Sequence, residues 1–175
     1  MFITLDIVLV VLPVLLAVAF VTLAERKGLG ALQRRLGPDT VGVYGVLQPF
    51  ADALKLTTKE TVVPALASSW ILHSMPILAL TCSLLGYTMI PFGEGVAILD
   101  SGFGVLVLLI LSGLTIYALV YTGWGSANAY ALMGGIRAAA QMVSYELTLG
   151  AAVSAVAYLT GYLSLTTIVI TQANV

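Results

Sequence analysis

The sequence predicts an all-α integral membrane protein, with about four transmembrane helices and an amphipathic surface helix in the first loop. Three observations predict it. Of 175 residues, 60% are hydrophobic and only 9% charged, where a soluble domain carries about 25% charged residues. Four apolar runs reach the roughly 20 residues that a bilayer core requires. Six of the seven Lys and Arg residues fall between residues 23 and 60, so the apolar runs are almost free of charge. Lipid offers no partner for backbone N–H and C=O groups, and each run is therefore expected as a helix.

The first run covers residues 3–24. It lacks a basic leader and a small-residue cleavage site and is longer than a signal-peptide core, so it is read as a span. Glu25, Arg26 and Lys27 end it as an interfacial anchor, with Glu25 nearest the apolar boundary. In the loop that follows, Gly37-Pro38 and Gly42 mark turns. Beyond them Val43, Leu47, Phe50 and Leu54 recur at i, i+4, i+7 and i+11, while Gln48, Asp52, Lys55 and Lys59 form a polar stripe. Pro49 fits the first turn of a helix, where its missing N–H costs nothing. The pattern predicts an amphipathic helix at the membrane surface or against the spans.

Three further spans are expected at 69–90, 103–121 and 134–158. The tail "SLTTIVITQANV" is too short and polar for a fifth. No internal repeat divides the chain, so residues 1–175 are expected as one membrane domain. The basic residues place the loop 25–68 on the cytoplasmic or matrix side, because the link between spans 2 and 3 carries only Glu94 and Asp100. By alternation "TGWGSANAYALM" returns to the positive side.

Several function classes are excluded or weakened. A net charge of −1, without a basic run interleaved with aromatics, argues against a nucleic-acid partner. The single cysteine, Cys82, rules out a disulfide within the chain and reads as a small core residue. There is no CxxC, no phosphate-binding loop and no His pair; "GWGSAN" lacks the third glycine of a dinucleotide fingerprint and reads as a loop. The chain alone is expected to bind no metal or redox cofactor. His73, the only histidine, is read as a packing or interfacial residue, with proton handling as the alternative.

Arg137 and Glu146 are more informative. Glu146 lies roughly 18 Å into the fourth span, where a charge costs about 3 kcal/mol or more unless paired, hydrated or protonated. Such a carboxyl is a candidate proton relay; the structural alternative is a neutral Glu hydrogen-bonded between helices. The two residues are nine positions apart, about 180° around a straight helix and roughly 13 Å along it. Arg137, Gln141 and Tyr145 share one face and Glu146 points elsewhere. Each charge then needs a partner from another helix, unless a bulge rotates the span.

The charged stretch "LAERKGLGALQRRLGPDTVGVYGVLQPFADALKLTTKE" resembles the first loop of chain 1 of respiratory complex I, the NADH:ubiquinone oxidoreductase. Its pattern there is A/T-E-R-K, Q-x-R-x-G-P-N-x-V-G and G-L-L-Q-P-x-A-D-x-x-K-L-x-x-K-E. A second block, "GWGSANAYALMGGIRAAAQMVSYE", is similar to G-W-x-S-N-x-x-Y-A-x-x-G-x-x-R-x-x-A-Q-x-x-S-Y-E, and "IPFGEG" resembles plant and algal versions. Asp39 departs from the usual Asn, and Gly125 and Ala127 from the usual Ala and Ser or Asn. The resemblance covers the whole chain but only the N-terminal half of a family of about eight spans. A split gene, with a second chain supplying the C-terminal half, is the expectation; a truncated fragment is the alternative.

The resemblance implies a core membrane subunit that forms part of the quinone-binding chamber and couples ubiquinone reduction to proton translocation. It places the chain in the mitochondrial inner membrane, with 25–68 on the matrix side and membrane lipid around the spans. Its partners would be peripheral-arm subunits of the quinone site, which hold iron–sulfur clusters and FMN, and small membrane subunits. Carried over by motif, Glu25, Arg26, Gln33, Arg34, Arg35, Asp52 and Lys55 would line or support the chamber and docking loop. Arg137, Tyr145 and Glu146 would belong to the proton path. An alternative of the same class is the corresponding subunit of membrane-bound hydrogenases or of the photosynthetic complex, but "QPFADALKLTTKE" resembles the mitochondrial form more. A different class is an ion channel or secondary transporter with Glu146 as coupling site; it predicts inverted repeats, which the sequence lacks. A packing or assembly protein without a site is the third.

Overall fold

The computed structural model describes residues 2–93 and 97–173; Glu94 and part of "IPFGEG" lie outside them. Among the described residues six α-helices follow one another: α1 (Phe2–Leu32), α2 (Gln48–Thr58), α3 (Ser69–Thr88), α4 (Gly104–Gly125), α5 (Ala129–Thr160) and α6 (Leu165–Ala173), with a 3-10 turn at Val43–Gly45. No strand occurs among the described residues. Four helices among the described residues are long and apolar enough to cross a membrane: Ile7–Leu32, Ser69–Thr88, Gly104–Gly125 and Ala129–Thr160. The chain divides into two compact units, residues 1–62 and 63–175.

In the first unit, α1 does not stop at the charged triplet, as the sequence led us to expect, but runs on to Leu32. Its own hydrogen bonds and good helix formers such as Arg26, Lys27 and Leu29 carry it forward. It ends where Arg35 N–H bonds the Gly30 carbonyl at 2.9 Å and Arg34 N–H bonds Ala31 at 3.1 Å. That reversal satisfies the last carbonyls with Arg34 in the left-handed region, φ 55°, a position usually taken by glycine. The returning chain passes so close that a Cβ on Gly30 would meet the Gly37 nitrogen at 3.1 Å.

The amphipathic helix is shorter than its stripe suggested. Val43 lies in the 3-10 turn and α2 opens at Gln48, with Pro49 in its first turn. The cause is the backbone before it: Tyr44 and Gly45 both have positive φ, 54° and 72°, which no continuous right-handed helix accommodates. Within α2 the polar residues Gln48, Asp52 and Lys55 keep their shared face, and Lys59 caps the end. Phe50 meets Phe20 of α1 edge to face, ring centroids 6.2 Å apart.

In the second unit α4 packs against both α3 and α5. "TGWG" is the end of α4 rather than loop, and α5 begins at Ala129 rather than 134. The glycines that look like turn signals are sites of close helix approach. A Cβ on Gly123 would meet the Ala131 carbonyl oxygen at 3.0 Å, and one on Gly125 would meet Ile71 Cγ2 at 2.7 Å. Gly125, where the resembled motif has Ala, is thus matched by Ile71 filling the space of the missing methyl. Only Ser126–Asn128 separates the two spans; Asn128 caps α5 by accepting from Tyr130 N–H at 3.0 Å, satisfying one of its free N–H groups.

The tail after α5 folds as the nine-residue α6, well below the length of a span. It is held beside the start of α4: Val105 N–H donates to the Leu163 carbonyl at 3.1 Å, and Thr166 Oγ1 donates to Asp100 Oδ1 at 3.0 Å. Among the described residues the buried apolar set is small: Leu23, Cys82, Val105, Ile116, Ala118, Ala139 and Ile168. Most of the apolar surface faces outward, as an environment of lipid and neighbouring helices requires.

Candidate functional site

The charged loop is organised around one ion pair. Arg26 Nη1 donates to Asp52 Oδ2 at 2.5 Å, tying the extended end of α1 to α2. Gln48 Nε2 donates to the other carboxylate oxygen, Oδ1, at 3.0 Å. The Gln48–Asp52 spacing of four puts both on one helix face, where the amide orients the carboxylate toward Arg26. Beside this pair Lys27 Nζ donates to the Tyr44 carbonyl and stands 6.0 Å from the Tyr44 ring centroid, a cation–π contact. Lys27 thereby holds the strained Tyr44 by both its backbone and its ring.

Asp52 has its pKa lowered from 3.8, first by the hydrogen bond from Arg26, then by that from Gln48; slight desolvation opposes both. A depressed carboxylate contributes stability above its unfolded value and loses it as pH falls through the folded value. The contact between α1 and α2 is therefore expected to be constant from about pH 8 to about pH 5 and to loosen below about 3.8. Hydrogen exchange of residues 48–58 across that range measures it. At neutral pH Asp52→Asn should mimic the acid state, and unchanged protection in the variant would contradict the role given to the pair.

Of the other loop residues, Arg35 Nε donates to Gln33 Oε1 at 2.7 Å, and Glu25, Arg34 and Lys55 are exposed. The structure thus brings Arg26, Asp52 and Gln48 together and leaves Glu25, Gln33, Arg34, Arg35 and Lys55 on the surface of the loop. The Arg26–Asp52 pair is the only ion pair among the described residues. Its 26-residue separation carries no periodic signal, so the pairing could not be read from sequence.

In the second unit α5 is an uninterrupted α-helix from Ala129 to Thr160, so no bulge turns Arg137 and Glu146 toward one another. Arg137 is exposed. Glu146 faces α4: its Oε2 lies 3.8 Å from the point where a Cβ on Gly113 would stand, and its Oε1 is buried with no hydrogen-bond partner. Glu146 and Tyr145 line a cavity of about 210 Å³ shared with Ser112 of α4, while Tyr145 remains largely exposed. Of the three residues assigned to the proton path, two meet and Arg137 stands apart. Sequence reasoning missed Ser112; a hydroxyl inside an apolar run was its only signal.

His73 is exposed, and its Nδ1 lies 2.7 Å from the Ser69 carbonyl one turn earlier. Cys82 is buried. Among the described residues no group of three His, Cys, Asp or Glu side chains is placed to hold a metal.

Comparison with known proteins bears on the whole chain. It is similar to NADH-ubiquinone oxidoreductase chain 1 of Metridium senile, 46% identical over 172 residues, 98% of this chain and 52% of the relative. Chain 1 of Mycosarcoma maydis is also 46% identical, over 171 residues, 98% of this chain and 52% of that one. The corresponding chain 1 of Chondrus crispus is 46% identical over 169 residues, covering 97% of this chain and 52% of its own length. The chain spans about half the length of the curated relatives it matches. Since the family model for NADH dehydrogenase matches residues 5–175, the chain belongs to the NADH dehydrogenase family.

Proposed function

We propose that this chain contributes the N-terminal part of a membrane subunit of NADH:ubiquinone oxidoreductase, forming part of the quinone-binding chamber and coupling quinone reduction to proton translocation. The observation that carries this reading is the family match along residues 5–175. It sits in the mitochondrial inner membrane as one domain, with the 25–68 loop on the matrix side. Peripheral-arm subunits, which hold iron–sulfur clusters and FMN, supply electrons.

Two features support the chemistry. Reduction of a quinone to its quinol takes up two electrons and two protons, so the chamber needs fixed charge and a route for protons. The loop has the charge: Arg26, Asp52 and Gln48 form a locked cluster, and the exposed Glu25, Arg34 and Lys55, with the hydrogen-bonded Gln33 and Arg35 beside them, are placed to meet the headgroup or a docking subunit. The apolar side of α2, with Phe50 and Leu54, offers a wall for an isoprenoid tail. The route for protons includes Glu146, a carboxyl set in the helix pair α4–α5; Tyr145 lines the same cavity, and Arg137 on the outer face of α5 meets a group from another chain.

A photoreactive ubiquinone analogue with mass spectrometry of the purified complex tests this. Label is expected on peptides from residues 23–60. Label confined to other subunits would remove this loop from the chamber.

A further inference from the structure

Two consecutive residues of α1 fasten the charged loop by different chemistries. Arg26 reaches the Asp52 carboxylate. Lys27 has no carboxylate partner among the described residues; its ammonium donates to the Tyr44 carbonyl and stands 6.0 Å from the Tyr44 ring centroid. Both acceptors are neutral, and both belong to one residue. That residue is the one whose backbone is least favoured in the turn. Tyr44 has φ 54°, where a side-chain-bearing residue is disfavoured by roughly 5–30-fold. Gly42 and Gly45, also at positive φ, escape that cost because they lack a Cβ. A conformation of this kind persists only where its surroundings over-determine it.

The course of the chain shows how Lys27 does so. A Cβ on Gly37 would stand 3.0 Å from both Cα and Cγ of Lys27, so the returning chain crosses directly over the lysine stem. Pro38 follows, its carbonyl oxygen so close to Gly45 that a Cβ there would meet it at 2.2 Å. Residues 37–45 therefore lie as a strap across Lys27, and the ammonium closes the strap at Tyr44. The strap leads straight into α2: Leu47 N–H bonds the Val41 carbonyl at 3.3 Å, and the helix opens at Gln48. Asp52 comes one turn later, so the seat of the strap governs whether its carboxylate reaches Arg26.

We propose that Lys27 is a positioning residue for the whole charged loop: by holding Tyr44 left-handed it closes the strap 37–45 and fixes the start of α2, so that Arg26 and Asp52 meet. Lys27 acts on the conformation of the loop and not by presenting charge to a ligand. The strap rests on geometry alone; its effect on quinone rests on the function proposed above.

Suppression by glycine tests this in the purified, assembled complex. Lys27→Met keeps the stem under Gly37 and removes the donor, Lys27→Arg keeps a cationic donor, and Tyr44→Gly makes the left-handed backbone free of cost. Hydrogen exchange of residues 37–47 is expected to quicken in Lys27→Met, to stay near wild type in Lys27→Arg, and to recover in Lys27→Met/Tyr44→Gly. The acid-induced rise in exchange of residues 48–58 should shrink in Lys27→Met, because a pair already loosened at neutral pH has less to lose when Asp52 is protonated. The charges acting on Asp52, Arg26 and Lys55, are the same in every variant. KM for a short-chain ubiquinone should rise about three- to tenfold in Lys27→Met with kcat little changed, as expected when fewer molecules hold the competent conformation, and should return in the double variant. Wild-type exchange in Lys27→Met would overturn the proposal, and so would a Lys27→Met defect that Tyr44→Gly leaves unrelieved. If Lys27→Met lowers the amount of subunit in the complex, recovery of that amount in the double variant is the same suppression, and its absence counts against the strap. Exchange that behaves as expected with an unchanged KM would instead remove this loop from the quinone chamber and leave the strap standing.

Discussion

Glu146→Gln is expected to abolish most coupled activity while the complex still assembles. The amide matches the carboxyl in size, so packing against Gly113 and the wall of the Ser112 cavity is preserved. What it loses is the ability to take up and release a proton. Positioned acid–base groups contribute roughly 10²–10⁴-fold to the steps they serve, so with other routes partly compensating, quinone reductase and proton pumping are expected to fall at least about tenfold. Glu146→Asp, one methylene short, should keep the chemistry and lose only part of the rate. Both are measured on complex with normal subunit content, as NADH-driven quinone reduction and vesicle acidification. Unchanged rates in assembled Glu146→Gln complex would eliminate the relay, whatever the family.

Gly45→Ala should have the largest structural effect of any single methyl added to the loop. Gly45 is buried with φ 72°, and a Cβ there would stand 2.2 Å from the Pro38 carbonyl oxygen. The left-handed backbone alone costs a non-glycine residue roughly 1–2 kcal/mol. The clash is with backbone, which has no rotamer to escape into, so the Pro38 turn and the Tyr44 carbonyl that receives Lys27 must both move. Two other glycines make the comparison decisive. Gly42→Ala, with φ 76° but only the Leu47 side chain in its way, should be milder, and Gly28→Ala, inside α1 with nothing within 4 Å, should be neutral or slightly stabilising. Limited proteolysis of residues 33–47, together with the amount of subunit in the assembled complex, ranks the three. Equal behaviour of Gly45→Ala and Gly28→Ala would refute the account of the turn.

Much of the membrane architecture was legible in sequence because lipid imposes a length and a polarity on any span. Four apolar runs became four long helices, and Pro49 fell in the first turn of α2. The boundaries were not legible. A charged triplet marks a change in polarity and not an end to helical hydrogen bonding, so α1 runs on past Lys27. Glycine means a turn when its φ is positive and close packing when a neighbouring helix needs the space. Gly42 and Gly45 are the first kind, Gly123 and Gly125 the second, and residue type alone does not distinguish them.

The candidate site divides along the same line. By itself the sequence determined that charge is concentrated in one loop, that Glu146 lies deep in a span and that Arg137 cannot pair with it across nine positions of a straight helix. Those follow from composition and from the 3.6-residue period of the α-helix, which act along the chain. Only the tertiary structure decided that Arg26 meets Asp52, that Lys27 meets the carbonyl of a left-handed Tyr44, and that Ser112 shares a cavity with Glu146. These are contacts between residues 17 to 34 positions apart. Such pairings depend on how the backbone turns between the partners, and no local periodicity carries that information.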